Sequence, residues 1–239
     1  MNAKNIYIKE IGNVSLKRSS RAKNVSIAIK QDKEIVLTLP IGVSQKQGLA
    51  ILNQRIDWIK KGLAKMDARH SKATHFDENT DFTIRGKKLL IKTHCLDKTQ
   101  IAISQKDIEI LYPQQISLNT QQGQIFIKDV ITEVLRIEAK HYLPQRTAEL
   151  AQKYHFEYNK IFIKNNKTSW GSCSYQNNIN LNLHLMRLPQ TLIDYVILHE
   201  LCHTVEKNHS KNFWTLMCNT LSNSKELSKE LRNFSTQYY

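Results

Sequence analysis

The chain of 239 residues lacks most of what would staple or anchor a protein. Its four cysteines, Cys95, Cys173, Cys202 and Cys218, contain no C-x-x-C pair and are too sparse for a disulfide scaffold. A reducing compartment, the cytoplasm, is therefore expected. Nowhere do about 18 apolar residues run together, which excludes a membrane-spanning helix. The first residues, Met1 to Gly12, carry Lys4, Lys9 and Glu10 and hold no continuous apolar stretch, so they do not read as a secretory signal. Internal sequence repeats and low-complexity linkers are also missing. What remains is a globular chain: 41% hydrophobic residues can build a core without staples, in one large domain or two small ones.

Acidic residues are scarce where basic ones gather. Against 35 Lys and Arg stand 21 Asp and Glu, a formal charge of +14, and the excess is uneven: +11 over residues 1–100 and +3 over residues 101–239. Clusters occur at Lys17-Arg18, Arg21, Lys23 and Lys60-Lys61. Such a surface attracts nucleic acid or another polyanion. The plainer reading is a solvated face, because no aromatic residue for base stacking interleaves Arg18 to Lys23.

Alternation at Val25, Ile27, Ile29 and again at Ile35, Leu37, Leu39 predicts a small antiparallel sheet over residues 5–39. Ser44 is a candidate N-cap for one helix carrying Leu49, Leu52, Ile56, Ile59 and Leu63 and ending in the basic stretch Lys60 to Lys65. Strand character returns over 81–112, with Arg85-Gly86 as a hairpin turn. From Ile125 to His155 the apolar spacing is helical, and Pro144 is expected to break that run in two. Extended stretches follow at 160–164, 169–174 and 179–183, then a helix after Pro189. This order predicts an α+β protein with a β-rich, basic region of one helix over 1–120 and a catalytic domain over 121–239.

The chemistry concentrates in H-E-L-C-H, residues 199–203. On a helix, positions i and i+4 share a face, so His199 and His203 can offer two imidazole nitrogens to one tetrahedral ion. Glu200 projects beside that ion, where a carboxylate can take a proton from metal-bound water, the arrangement of a zinc hydrolase. A shuffled chain would show the bare motif roughly once or twice in a hundred, so context matters. Leu192, Val196, His199 and His203 form one stripe, and Ile193, Ile197 and Leu201 form the apolar stripe that would bury the helix.

A catalytic zinc needs a third protein ligand. His209 gives H-E-x-x-H-x-x-x-x-x-H, the ligand spacing of the metzincins, and precedes a new helical segment with Phe213, Trp214, Leu216 and Met217. Metzincins have Gly at the third residue after the second His, where this chain has Glu206, so the turn is expected to use Asn208 in a left-handed conformation. The rival ligands are Glu226 and Glu230. Cys202, between the ligands, points off their stripe and reads as a buried thiol.

The runs K-T-S-W-G-S-C-S (167–174), N-I-N-L-N (178–182), I-D-Y-V-I-L-H-E-L-C-H (193–203) and N-H-S-K-N-F-W (208–214) resemble the bacterial YgjP-like metallopeptidases. So do L-T-L-P-I-G-V (37–43) and I-D-W-I-K-K-G-L (56–63), in the same order along nearly the whole chain. The resemblance implies a zincin-like fold, one zinc per chain held by His199, His203 and His209, and Glu200 as the catalytic base. It also suggests kinship with SprT-like proteases, some of which act on proteins crosslinked to DNA. Two positions depart from the family pattern, Ser169 and His184, where Arg is usual. In a zincin an edge strand pairs with extended substrate, and residues 170–174 or 179–183 could serve; Trp170, Gly171 and Ser172 are the candidate substrate-binding residues, Gly171 by allowing close backbone approach. The expected function is zinc-dependent hydrolysis of peptide bonds in a protein or peptide substrate. The competing reading is a basic nucleic-acid-associated module, or a DNA-recruited protease, with the zinc site structural or secondary.

Overall fold

A computed structural model describes residues 4–30, 33–70 and 74–237, without the side chains of residues 65 and 67–70; Lys65, at the end of the expected basic stretch, is one of these. Two compact units are present, Met1–Thr74 and His75–Tyr238. The described residues form an α+β structure of six α-helices and three sheets. No helix among them is long and apolar enough to cross a membrane.

In the first unit, strands β1 (Lys4–Ile8), β2 (Gly12–Ser19), β3 (Ser26–Ile29) and β4 (Ile35–Pro40) pair in the order β1-β2-β4-β3. The sheet is mixed, not antiparallel as expected. β1 with β2 and β3 with β4 run antiparallel, but β2 lies parallel to β4, with Val14 opposite Ile35 and Leu16 opposite Leu37. Alternation sends Leu16, Leu37 and Leu39 to one face whichever neighbour each strand takes, so it reveals a strand and not its partner. That face packs on Leu52 and Ile59. The expected single helix is two, α1 (Gln45–Asn53) and α2 (Ile56–His70). Ser44 caps α1 in a reciprocal box with Gln47. At the break the Arg55 N–H turns to the Leu52 carbonyl at 2.9 Å, one residue short of an α-helical bond. The apolar spacing passes through this kink unaltered, which hides it from periodicity.

In the second unit, β5 (Thr83–Ile84), β6 (Lys87–His94), β7 (Gln100–Ile103) and β8 (Asp107–Pro113) pair in the order β5-β6-β8-β7, with β6 and β8 parallel. Arg85 and Gly86 form the predicted turn, both left-handed at φ 52° and 74°, as a tight two-residue hairpin requires. Then comes α3 (Gln121–Tyr154), capped by the Thr120 hydroxyl, which accepts from Gly123 N–H at 3.0 Å.

Pro144 lies inside α3 without breaking it. An interior proline costs about 3 kcal/mol through a lost hydrogen bond and a clash with the carbonyl of residue i−4. That carbonyl belongs to Lys140, at an exposed position where water can reach it. Ile131, Leu135, Ala139, Leu143 and Leu150 are buried in one stripe across the proline, and their burial at about 1.5–3 kcal/mol for each large side chain outweighs the penalty.

A three-stranded sheet follows, β9 (Ile161–Lys164), β10 (Gly171–Cys173) and β11 (Ile179–Asn182), in the order β10-β11-β9, so that β10 is an edge. A short 3-10 helix, Leu183–Arg187, leads to α4 (Gln190–Val205), α5 (Lys211–Thr220) and α6 (Ser224–Leu231). Leu192, Ile193, Val196, Ile197, Leu198 and Leu201 are all buried, so α4 is apolar nearly all round and runs through the unit's core. One cluster of buried residues extends from Phe76 and Ile84 through α3 and α4 to Leu227. The expected boundary at 120 therefore falls inside the second unit, just where Thr120 starts α3, because β5–β8 share their core with that helix.

Candidate metal centre

Asp194, on the second turn of α4, accepts from Arg146 of α3 in bidentate fashion, Nε at 2.8 Å and Nη2 at 2.7 Å. Tyr142 donates to Gln190 Oε1 at 2.6 Å, and Gln190 donates to Asp194 at 2.8 Å. These ties fix the start of α4 against α3, and the helix carries the histidines from there.

His199 and His203 stand one turn apart on α4, and His209 returns to them from the segment before α5. The His209 Nε2 lies 2.9 Å from His199 Nε2 and 3.2 Å from His203 Nε2. Among the described residues this is the group of His, Cys, Asp and Glu whose ligand atoms converge, all within 4.8 Å. Glu226 and Glu230, the rival third ligands, are exposed on α6 and outside the group. The chain turns back differently from expectation. Glu206 is extended, at φ −112° and ψ 102°, and Asn208 is not among the left-handed residues; its carbonyl accepts from Ser210 N–H at 2.7 Å. The Ser210 hydroxyl then caps α5.

The extended Glu206 also directs its carbonyl to His203 Nδ1 at 2.9 Å. With Nδ1–H donating there, the lone pair of His203 is on Nε2 and faces the other two rings. Burial, reinforced by the neighbouring imidazoles, pushes the His199 pKa down to about 3, and burial lowers that of His203. Both shifts favour the neutral ring, the form that donates a lone pair to a cation. Phe213 stacks on His203 with ring centroids 4.4 Å apart. His199 Nδ1 and Glu200 Oε2 are buried with no hydrogen-bond partner among the described residues. Three convergent imidazole nitrogens make a donor set that fits zinc.

Glu200 is 5% exposed, and burial pushes its pKa up to about 8. Gly171 runs directly against it: a Cβ there would lie 2.7 Å from Glu200 Oε1 and 2.7 Å from its Cγ. Only glycine brings the backbone of edge strand β10 this close to the carboxyl. The neighbouring candidates are placed otherwise. Trp170 packs on the core, and its carbonyl accepts from Asn182 N–H at 2.9 Å. The exposed Ser172 accepts from Asn180 Nδ2 at 3.1 Å. Ser169 accepts from Asn166 Nδ2 at 3.2 Å, and His184 is buried, which pushes its pKa down to about 3. The Cys202 thiol is buried against Met217 Sδ at 3.7 Å, and burial raises its pKa to about 11.

Two supporting residues escaped the sequence reading. Asn182 is fully buried: its Nδ2 donates to the carbonyls of Asn166 at 2.7 Å and Ser169 at 2.8 Å, and its Oδ1 accepts from His184 N–H at 3.1 Å. An Asn at the end of a short apolar strand was the available signal. Lys207 donates to the Ser174 carbonyl at 3.3 Å and to Asn177 Oδ1, fastening the β10–β11 hairpin to the segment that carries His209. No motif marks it.

The family model described as YgjP-like, metallopeptidase domain, matches residues 23–234. Two solved structures match part of the chain. The metallopeptidase zymogen of Pyrococcus abyssi abylysin is 18% identical with a TM-score of 0.34, over 38% of this chain and 93% of that one. That of Methanocaldococcus jannaschii jannalysin is 25% identical with a TM-score of 0.34, over 38% of this chain and 93% of its own. No curated protein matches the chain.

Proposed function

The chain belongs to the YgjP-like metallopeptidase family, and from that premise we propose that it hydrolyses peptide bonds with one zinc held by His199, His203 and His209 and with Glu200 as general base. The observation that carries this reading is the convergence of three imidazole Nε2 atoms, two of them on the helix that also carries Glu200, whose buried carboxyl lies against an edge strand. When bound, zinc supplies Lewis acidity that polarises a carbonyl and lowers the pKa of water to about 7, and positive charge that favours the ionised form of Glu200. Glu200 accepts a proton from water as the water oxygen bonds to the scissile carbonyl carbon. It then delivers that proton to the departing amine as the C–N bond breaks. His203, oriented by the Glu206 carbonyl, keeps Nε2 free as a ligand. Strand β10 supplies main-chain groups that pair with an extended substrate, and Gly171 sets that strand at the carboxyl.

The test is turnover of a protein or peptide substrate by Glu200→Gln, which keeps shape and removes the base. Hydrolysis is expected to fall by about 10²–10⁴-fold, with zinc content unchanged; undiminished turnover would remove Glu200 from its role.

A further inference from the structure

In the three-stranded sheet, β11 lies between β10 and β9, so the free edge next to Glu200 is that of β10. Its hydrogen-bond phase is fixed at both ends. Asn182 N–H donates to the Trp170 carbonyl at 2.9 Å, and Ser174 N–H donates to the Asn178 carbonyl at 2.8 Å. Bonded pairs of an antiparallel ladder recur at every second residue, so Trp170, Ser172 and Ser174 direct their main-chain groups to β11, with Ser172 opposite Asn180. β11 keeps the same phase on its other side, where Ile179 N–H donates to the Lys160 carbonyl at 2.8 Å. Gly171 and Cys173 therefore direct their N–H and C=O to the open side, where no strand lies among the described residues.

That edge is short and nearly bare. Beyond Cys173 the Ser174 carbonyl is occupied, accepting from Asn177 N–H at 3.0 Å and from Lys207 Nζ at 3.3 Å. Before Gly171, Trp170 packs on the core. What faces outward is one donor and one acceptor on each of Gly171 and Cys173. The side chains of β10 itself are a hydrogen, a hydroxymethyl and a thiol. A substrate residue directly opposite Gly171 has no cross-strand side chain to meet, and one opposite Cys173 meets only the thiol. Pockets for alternate side chains are what give an added strand its sequence specificity, and this strand builds none; its main-chain bonds are blind to sequence.

Resting on the peptidase reading above, we propose that the substrate class is extended, unpaired polypeptide with little restriction of sequence. A stretch matching the 3 residues of β10 docks through alternate main-chain groups bonded to Gly171 and Cys173. Ser172 and Trp170, substrate-binding candidates by sequence, take no part in those bonds, because their main-chain groups serve β11. Helical or sheet-paired segments, whose amides are already bonded, are poor substrates.

NMR titration of full-length, zinc-loaded protein carrying Glu200→Gln with a flexible, end-blocked octapeptide of Ala and Ser tests this without turnover. Before peptide is added, the Ser172 amide is expected to exchange with solvent slowly and those of Gly171 and Cys173 quickly. With peptide, the Gly171 and Cys173 amides should shift and gain protection while that of Ser172 stays as it was. N-methylation of every peptide amide should weaken binding at least about tenfold, whereas N-methylation of every second amide leaves a bare phase to face the strand and spares it. Placing Leu, Glu or Lys at the central peptide positions should change binding by less than about threefold. The proposal is overturned by no shift at millimolar peptide, by shifts centred on Ser172, or by side-chain changes that outweigh full N-methylation. Docking of the expected kind with no hydrolysis by the unaltered protein would support the strand register and overturn the peptidase reading, so the two fail separately.

Discussion

In the first unit, β1–β4 pair in the order β1-β2-β4-β3 and are followed by α1; in the second, β5–β8 pair in the order β5-β6-β8-β7 and are followed by α3. Both helices begin at a hydroxyl N-cap, Ser44 or Thr120. In both, a glycine in the first turn is pressed against what precedes it: a Cβ at Gly48 would meet Leu39 Cδ2 at 2.4 Å, and one at Gly123 the Ser117 carbonyl at 2.0 Å. The units diverge in what the helix goes on to support. α1 stops after 9 residues and the unit closes with α2, leaving basic surface and an open groove. α3 continues for 34 residues, long enough to brace α4 through Arg146 and Asp194, and α4 carries the histidines. The shared sheet and capped helix are a scaffold, and the candidate chemistry belongs to the elements added after α3.

This contrast can be broken at several points, starting with the most severe. His203→Ala or His209→Ala removes one of three converging nitrogens, and zinc is expected to fall from about one per chain to near none by elemental analysis. Retained zinc would place the ligands elsewhere in the second unit. Gly171→Ala forces the Glu200 carboxyl to move, so turnover should drop on the order of 10²-fold with zinc content intact; an unaffected rate would separate β10 from the chemistry. Asp194→Asn loosens the tie between α3 and α4, a part-buried pair, and should lower stability by about 1–2 kcal/mol in denaturant titration. An equal loss of stability is not expected for Lys30→Gln, whose partner Glu34 lies on the first unit's surface. The smallest effect is expected when Lys17, Arg21 and Lys23 are all changed to Gln: turnover of a short uncharged peptide stays within about twofold. A collapse of that rate would mean that the basic region takes part in the reaction itself.

Sequence spacing conveyed the grouping of the candidate site better than the scaffold, for a physical reason. His199, Glu200 and His203 lie within a single helical turn, so their mutual placement follows from helix geometry alone, and His209 is only a short loop away. Gly171 was readable as a place of close approach, but that its neighbour is Glu200 depends on packing between β10 and α4. The hairpin at Arg85-Gly86 was legible because its turn is local. The parallel pairing of β2 with β4 and of β6 with β8 was not, since each strand's alternation is satisfied by either neighbour. Pro144 misled because the proline penalty is local while the burial that outweighs it is spread along α3. Arg18, counted in the basic cluster at residues 17–23, donates to the carbonyls of Ile41 and Val43 at 3.1 and 3.2 Å. Composition counts such a cation as free surface charge even where it serves as a tie.

The most direct test of the central claim is native mass spectrometry of the full-length protein, purified without added metal and compared with Glu200→Gln and His209→Ala. The account predicts about one zinc per chain in the unaltered protein and in Glu200→Gln, and none in His209→Ala. A metal-free unaltered protein that gains no zinc on titration, or a His209→Ala protein that keeps its zinc, would contradict it.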